Sequence, residues 1–136
     1  VLIADNSEEF CTALSAALQR TERFTVAGIA GDGETAMQLL EERRPDILVL
    51  DDASSALDYR TDADLRRCLR AHYRHTTTVV VAQRISSLRH ADLILVVQDG
   101  KIVEQGTHEQ LLARRGYYHK LYTRQYEEEL SADLLR

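Results

Sequence analysis

Apolar and polar positions fall into blocks along this chain, and the periods of those blocks define its elements. Ile47, Leu48, Val49 and Leu50 form a continuous apolar run entered from Pro45 and ended by Asp51 and Asp52. A short run without alternation predicts a strand buried on both faces of a parallel sheet. Ahead of it, Val1 to Ala4 reads as a short apolar strand ending at Asp5-Asn6-Ser7. Asn6 or Ser7 can cap a helix reaching Arg20, in which Phe10, Leu14 and Leu18 define one buried face. Phe24 to Ala30 predicts a second strand, and Gly31-Asp32-Gly33 turns into a helix over Glu34 to Arg43 with Ala36, Leu39 and Leu40 inward. Pro45 closes that helix.

After the central strand, Ala53 to Arg60 is polar and reads as a loop, followed by a helix over Thr61 to Arg74 that buries Leu65 and Leu69. Thr76 to Ala82 is a β-branched strand, Ile85 to His90 a short helix, and Leu93 to Val97 another buried strand. Asp99-Gly100 is a two-residue hairpin signal, so Lys101 to Gln105 should return antiparallel. Thr107 and Gln110 have the spacing of a capping box. Gly116 is expected to bend the helix that follows, with Tyr117, Tyr118, Leu121 and Tyr122 covering the sheet. Strands alternating with helices predict an α/β fold, a three-layer αβα sandwich around a doubly wound parallel sheet with one antiparallel edge strand. No linker or repeat divides the chain, so one domain over 1–136 is expected.

Composition narrows the classes of function. In 136 residues the chain is 44% hydrophobic and 29% charged, with a net charge of −5. Basic residues are scattered among acidic ones apart from a run between Arg66 and Arg74, which excludes a nucleic-acid footprint. No apolar run approaches the roughly 20 residues of a membrane span. Cys11 and Cys68 form no CxxC pair and follow no secretory signal, so free thiols and a soluble, reducing, cytoplasmic setting are expected. The numbering opens on a strand at Val1 without Met: either an initiator segment precedes it or the chain starts inside a longer one.

The candidate chemistry sits at strand ends. Asp5, Asp51 and Asp52 follow apolar strands, and in open α/β sheets ligands collect at the carboxyl edge. Two chemistries use such an aspartate: phosphoryl transfer to the carboxylate, and Mg²⁺ and water handling beside a nucleotide. The competing reading is a relict acidic cluster. Gly28, Gly31 and Gly33 have G-x-x-G-x-G spacing with no basic residue after them, which favours turn chemistry over a phosphate loop. Cys68, His72 and His75 could form half a zinc site, though a partly buried thiol and solvated imidazoles are the commoner outcome. Ser54, Ser55, Ser86 and Ser87 lack a His and acid constellation for nucleophilic catalysis. Tyr117, Tyr118, Tyr122 and Tyr126 could offer a stacking surface, but their helical spacing favours cover for the sheet.

Two resemblances meet in the central strand. The segments VLIAD, SEEFCTALSAALQR, VAGIAGDGETAMQLL and PDILVLD make residues 1–51 similar to a response-regulator receiver domain of the sporulation-initiation type. That resemblance implies Asp51 as phospho-acceptor and Asp5 in the acidic Mg²⁺ pair, with Asn6 at the place of the second acid. The hydroxyl residue and lysine that receivers carry at the ends of the fourth and fifth strands have no counterpart at Val81-Ala82-Gln83 or Val97-Gln98-Asp99. Residues 47–125 resemble the C-terminal part of an ABC transporter nucleotide-binding domain. ILVLDD is similar to a Walker B strand, which implies Asp51 as the Mg²⁺ aspartate and puts Asp52 in the catalytic glutamate's place. Ser55-Ala56-Leu57-Asp58 resembles the D-loop, and Gln83 stands where that family has its switch histidine, in VVVAQRISSLRHADLILVVQDGKIVEQGTHEQLL. No G-x-x-x-x-G-K-[ST], Q-loop or LSGGQ signature occurs in the sequence.

The joint reading is a single hybrid domain, receiver-like over 1–51 and ABC-ATPase-like with C-terminal helices over 52–136. The receiver half implies a flavodoxin-like strand order 2-1-3-4-5; the alternative, P-loop-like order places the first strand between the fourth and fifth. On this reading the chain is an engineered or recombined chimeric scaffold, not an enzyme, with no native catalytic activity expected. The alternatives are a vestigial receiver that binds Mg²⁺ and weakly accepts phosphate on Asp51, and a remnant ABC-type ATPase using Asp51 and Asp52. No cofactor is expected, with weak Mg²⁺ binding at Asp5, Asp51 and Asp52 as the one candidate. No partner is required, neither nucleic acid nor membrane; ATP binding is not expected, and apolar area left exposed on the sheet or helices would favour a homodimer.

Overall fold

Local chemistry sets the helix boundaries. In the computed structural model, which describes residues 1–51 and 59–136, helix α1 (Glu8–Arg20) starts where the Ser7 hydroxyl accepts the Phe10 N–H at 3.2 Å. Helix α2 (Gly33–Arg43) starts at Asp32, whose carboxylate accepts the Thr35 N–H at 2.7 Å, and ends at Arg44 in the left-handed conformation, just before Pro45. The residues fall into two compact units, Val1–Val81 and Ala82–Arg136.

The first unit holds strands β1 (Leu2–Ala4), β2 (Gly28–Ala30), β3 (Ile47–Asp51) and β4 (Thr77–Val81), with helix α3 (Tyr59–His72) between the last two. All four strands are parallel, in the order β2-β1-β3-β4. Ile3 pairs with Ile29 on one side and Val49 on the other. One face of the sheet carries Leu2, Ala4, Leu48 and Leu50, buried against Ala36 and Leu40 of α2 and Leu65 and Leu69 of α3. Strands alternate their faces, so Ile3 points the other way, and it is fully buried there. Phe10, Leu14 and Leu18 of α1 are only half-buried, and Cys11 is that helix's buried residue.

The second unit holds a single 3-10 turn (Ile85–Leu88), strands β5 (Ile94–Gln98) and β6 (Lys101–Gly106), and helices α4 (His108–Arg114) and α5 (Tyr117–Leu134). β5 and β6 are antiparallel, joined through Asp99 (φ 51°) and Gly100 (φ 73°), the paired positive φ values of a type I′ turn. The capping box forms as its spacing predicts, with the Gln110 N–H on the Thr107 hydroxyl and the Thr107 N–H on the Gln110 side chain. Ile85, Ile94, Val96, Leu111 and Tyr118 form the core of this unit.

Several expectations change. The second strand was expected from Phe24, but β2 begins at Gly28 because its one neighbour, β1, offers only three residues to pair with. The fifth strand takes its hydrogen bonds from β6 in a separate two-stranded sheet, so the flavodoxin-like order 2-1-3-4-5 is not confirmed beyond its first four strands. The P-loop-like alternative does not form either, because β2 and β3 occupy both edges of β1. Gly116 does not bend one helix but separates two, and Tyr117, expected to cover the sheet, is 40% exposed while Tyr118 is buried. No helix among the described residues is long and apolar enough to cross a membrane.

Candidate functional site

The parallel pairing of β1 with β3 brings two of the candidate acids to one edge. Ala4 is in register with Leu50, so Asp5 and Asp51 occupy corresponding positions at the carboxyl ends of neighbouring strands. Asp5 turns the chain into α1: its N–H donates to the Ala30 carbonyl at 2.9 Å, its carboxylate accepts the Ser7 N–H at 3.1 Å, and its side chain is nearly buried. The Cys11 thiol donates to the Asp5 carbonyl at 3.5 Å. Burial first, and the Asp5 charge second, push that thiol above its ordinary pKa.

A small cleft of about 10 Å³, room for about one water molecule and partly open to solvent, lies over this edge. Ala4, Ala36, Leu50 and Leu65 form its apolar floor, and Asp5, Asn6, Gly31, Asp32, Gly33 and Asp51 its rim. Three acidic residues, Asp5, Asp32 and Asp51, therefore border one small concavity whose inner surface is almost wholly apolar, and no Lys or Arg lines it among the described residues. Asp32 is the member that the sequence reading passed over as turn chemistry. Its carboxylate is held below the usual range, chiefly by the Thr35 N–H and then by the Thr35 hydroxyl, and so stays ionised beside the cleft. An N-cap Asp two residues beyond a strand end was the available signal.

The donor set suits a hard cation. Mg²⁺ keeps most of its waters and takes one or two protein carboxylates plus phosphate oxygens, so the Asp5 and Asp51 edge fits without a full protein cage. Among the described residues no group of three or more His, Cys, Asp or Glu side chains is arranged to hold a metal by itself. Cys68 lies beside the groove between α2 and α3, while His72 and His75 are exposed. Asp52, Ser55, Ala56, Leu57 and Asp58 lie outside the described residues. Gln83 belongs to the second unit, with its side chain exposed.

That unit contains polar pairings the sequence reading did not find. His108, buried in α4, lies with Nδ1 2.8 Å from the Tyr118 hydroxyl and packs edge-on against Tyr118 and Tyr122. Glu104 of β6 accepts the Tyr118 N–H at 2.7 Å. Gln125 of α5 bonds to the backbone on both sides of Arg84. Tyr122 and Tyr126 stack on each other, while Tyr118 is core, so the four tyrosines do not make one surface.

No protein-family model matches the chain. Relatives are ABC transporter proteins over about 60% of its length. An ABC transporter ATP-binding protein of Bacillus subtilis, YknU, is 51% identical over 82 residues, which is 60% of this chain and 14% of the relative. A fatty acid ABC transporter ATP-binding/permease protein of Mycobacterium bovis is 49% identical over 78 residues, 57% of this chain and 12% of the relative. An ATP-dependent lipid A-core flippase of Haemophilus ducreyi is 48% identical over 86 residues, 63% and 15% of the respective chains. Among solved structures, a bacterial Atm1-family ABC exporter with ATP bound superposes with a TM-score of 0.62 at 32% identity, covering 88% of this chain and 24% of that one. The chain thus spans 12–15% of the length of these sequence relatives.

These findings correct the functional expectation. A chimeric scaffold without activity, not an enzyme, with no ATP and no membrane partner, does not agree with relatives named for ATP binding, ATP-dependent flipping and permease function. The physical error lay in weighing a missing phosphate cradle as a missing function, although a cradle can be supplied by another segment. Nothing in the likenesses supports a receiver half over 1–51 or the phospho-acceptor role for Asp51 that rests on it.

Proposed function

We propose that this chain is the metal- and water-handling part of an ABC-exporter-type ATPase, in which Asp51 serves a magnesium nucleotide. The observation that carries this reading is the placement of Asp51: it ends the central strand β3 in a segment similar to a Walker B strand, beside a small cleft that Asp5 and Asp32 also border. The identity with ATP-binding proteins supports the choice of nucleotide. Hydrolysis requires water to attack the γ-phosphorus while the bond to the leaving diphosphate breaks, and positioning with charge stabilisation carries most of the catalysis. Bound Mg²⁺ supplies charge neutralisation on the phosphate oxygens.

The chain's own groups divide the remaining tasks. Asp51, and Asp5 beside it, present carboxylate oxygens to the hydrated cation. Asp52, in the place of a catalytic glutamate and one methylene shorter, takes the water proton from farther away, which favours slow turnover. Ser55-Ala56-Leu57-Asp58 contributes the D-loop, and Gln83 gives a carboxamide where a switch histidine would bond to phosphate. By likeness to the ATP-binding/permease proteins, the partner is a membrane-spanning transport domain.

The test is nucleotide binding by the full chain, followed with a fluorescent ATP analogue with and without Mg²⁺. Millimolar affinity that depends on Mg²⁺ and disappears in Asp51→Asn is expected. Binding indifferent to Mg²⁺ and to Asp51, or none in the millimolar range, overturns the reading. Phosphate release that survives Asp51→Ala marks a contaminating ATPase.

A further inference from the structure

We propose that Gln125 is a positioning residue for Gln83, holding the segment after β4 in the conformation that presents the Gln83 side chain. The Gln125 Nε2 donates to the Gln83 carbonyl at 2.7 Å, and its Oε1 accepts the Ile85 N–H at 2.9 Å. In a parallel ladder a residue donates to the carbonyl before its partner and accepts from the N–H after it. The Gln125 carboxamide therefore acts as a one-residue parallel strand paired with Arg84. Arg84 is extended (φ −94°, ψ 121°), as a ladder residue is, and it opens the 3-10 turn without any side-chain cap of its own.

Both ends of the clamp are anchored. Ile85 is buried in the core of its unit. Gln125 lies on α5 beyond Tyr118, which is buried in that core, and Leu121 and Tyr122, which pack against it. The clamp takes hold of backbone only, so the Gln83 side chain stays exposed and available to a ligand. A helix more than 40 positions farther along thus sets the direction in which that carboxamide points. The role given to Gln83 rests on the nucleotide reading above; the clamp itself does not.

The full chain tests this by amide hydrogen exchange and by MgATP titration followed on the Gln83 side-chain NMR signals. Gln125→Met keeps the length and packing and loses both bonds; Gln125→Glu keeps the acceptor for Ile85 and places an anion against the Gln83 carbonyl. The Ile85 amide is expected to exchange on the order of tenfold faster in Gln125→Met, and to keep most of its protection in Gln125→Glu. Both variants should lose the MgATP-induced shift of Gln83 while their melting temperatures stay close to that of the wild type. Unchanged Ile85 exchange in Gln125→Met, or a Gln83 shift that persists in both variants, overturns the positioning role. A wild-type chain that shows no MgATP-induced shift at any residue overturns the nucleotide reading instead, and the Ile85 exchange still decides the clamp.

Discussion

A Cβ on residue 116 would overlap the carboxylate of Glu104, the group that accepts the Tyr118 N–H at 2.7 Å. Arg115 ends α4 in the left-handed conformation, and Gly116 opens α5 without a capping side chain of its own, so Glu104 of β6 supplies the cap. Glu104 ends a flexible side chain and can swing away from an added methyl group, but the Tyr118 N–H then loses its partner. Gly116→Ala should cost about 1.5–3 kcal/mol, the range of a hydrogen bond to a charged group. Glu104→Ala should cost a similar amount, and the two together little more than one alone. Denaturant unfolding of the four proteins decides this, and costs that add to within about 0.5 kcal/mol would show that the two residues act separately.

Elements written in local chemistry were readable from the sequence. Asn6 or Ser7 as the cap of α1, Gly31-Asp32-Gly33 as the turn into α2, Asp99-Gly100 as the hairpin turn, the Thr107 and Gln110 capping box, and Leu65 and Leu69 as the buried stripe of α3 are each decided within a few positions. Partnerships between distant positions were not. The pairing of β1 with β3 was expected only through the resemblance that implied the order 2-1-3-4-5, not from any local pattern, and Gln125 with Gln83, Glu104 with Tyr118 and His108 with Tyr118 leave no periodic trace in polar residues. The site was half legible for the same reason. Asp5 and Asp51 follow obvious strands, whereas Asp32 looks like any turn residue until β2 sets it on the same cleft.

The two thiols should differ in reactivity. Cys11 is buried, donates to the Asp5 carbonyl and has its pKa pushed up, whereas Cys68 is half-exposed. The thiolate is the reacting form, so burial and the raised pKa both slow Cys11. At about pH 8, iodoacetamide should label Cys68 in the native chain and reach Cys11 only in denaturant. Peptide mass analysis locates the adduct; equal labelling of both under native conditions would contradict the packing of α1 against the Asp5 turn.

Asp5 and Asp51 should contribute unequally to Mg²⁺ binding. The Asp5 carboxylate already accepts the Ser7 N–H and is nearly buried, while Asp51 is half-exposed at the rim of the cleft. Asp5→Asn keeps an oxygen for Ser7 and removes one charge, so the Mg²⁺ midpoint should rise by roughly an order of magnitude with the fold intact. Asp51→Asn should abolish saturation. A titration followed by NMR shifts at Gly31 and Gly33 reads both, and an Asp5→Asn midpoint equal to the wild type would remove Asp5 from the site.

The buried pair of His108 and Tyr118 gives the fold an alkaline limit. Burial, and after it the neighbouring Tyr122 and Glu109, push the Tyr118 hydroxyl from 10.0 up to about 12. A group whose pKa is higher in the folded than in the unfolded chain holds its proton better when folded, so its contribution is complete below about pH 10 and is lost as pH rises toward 12. Tyr118→Phe removes this titration and leaves the His108 Nδ1 without the hydroxyl that lies 2.8 Å away. Near pH 8 the wild type should therefore be more stable than Tyr118→Phe by about 1–3 kcal/mol, the cost of an unpaired buried polar atom. Every other titrating group is common to both proteins and cancels in the difference. That difference, from urea unfolding at several pH values, should narrow above about pH 10, where the unfolded chain begins to ionise the extra phenol. A gap that stays constant up to about pH 11 would mean that the Tyr118 hydroxyl titrates normally in the fold and that its environment is wetter than the packing of His108, Leu111 and Ile94 implies.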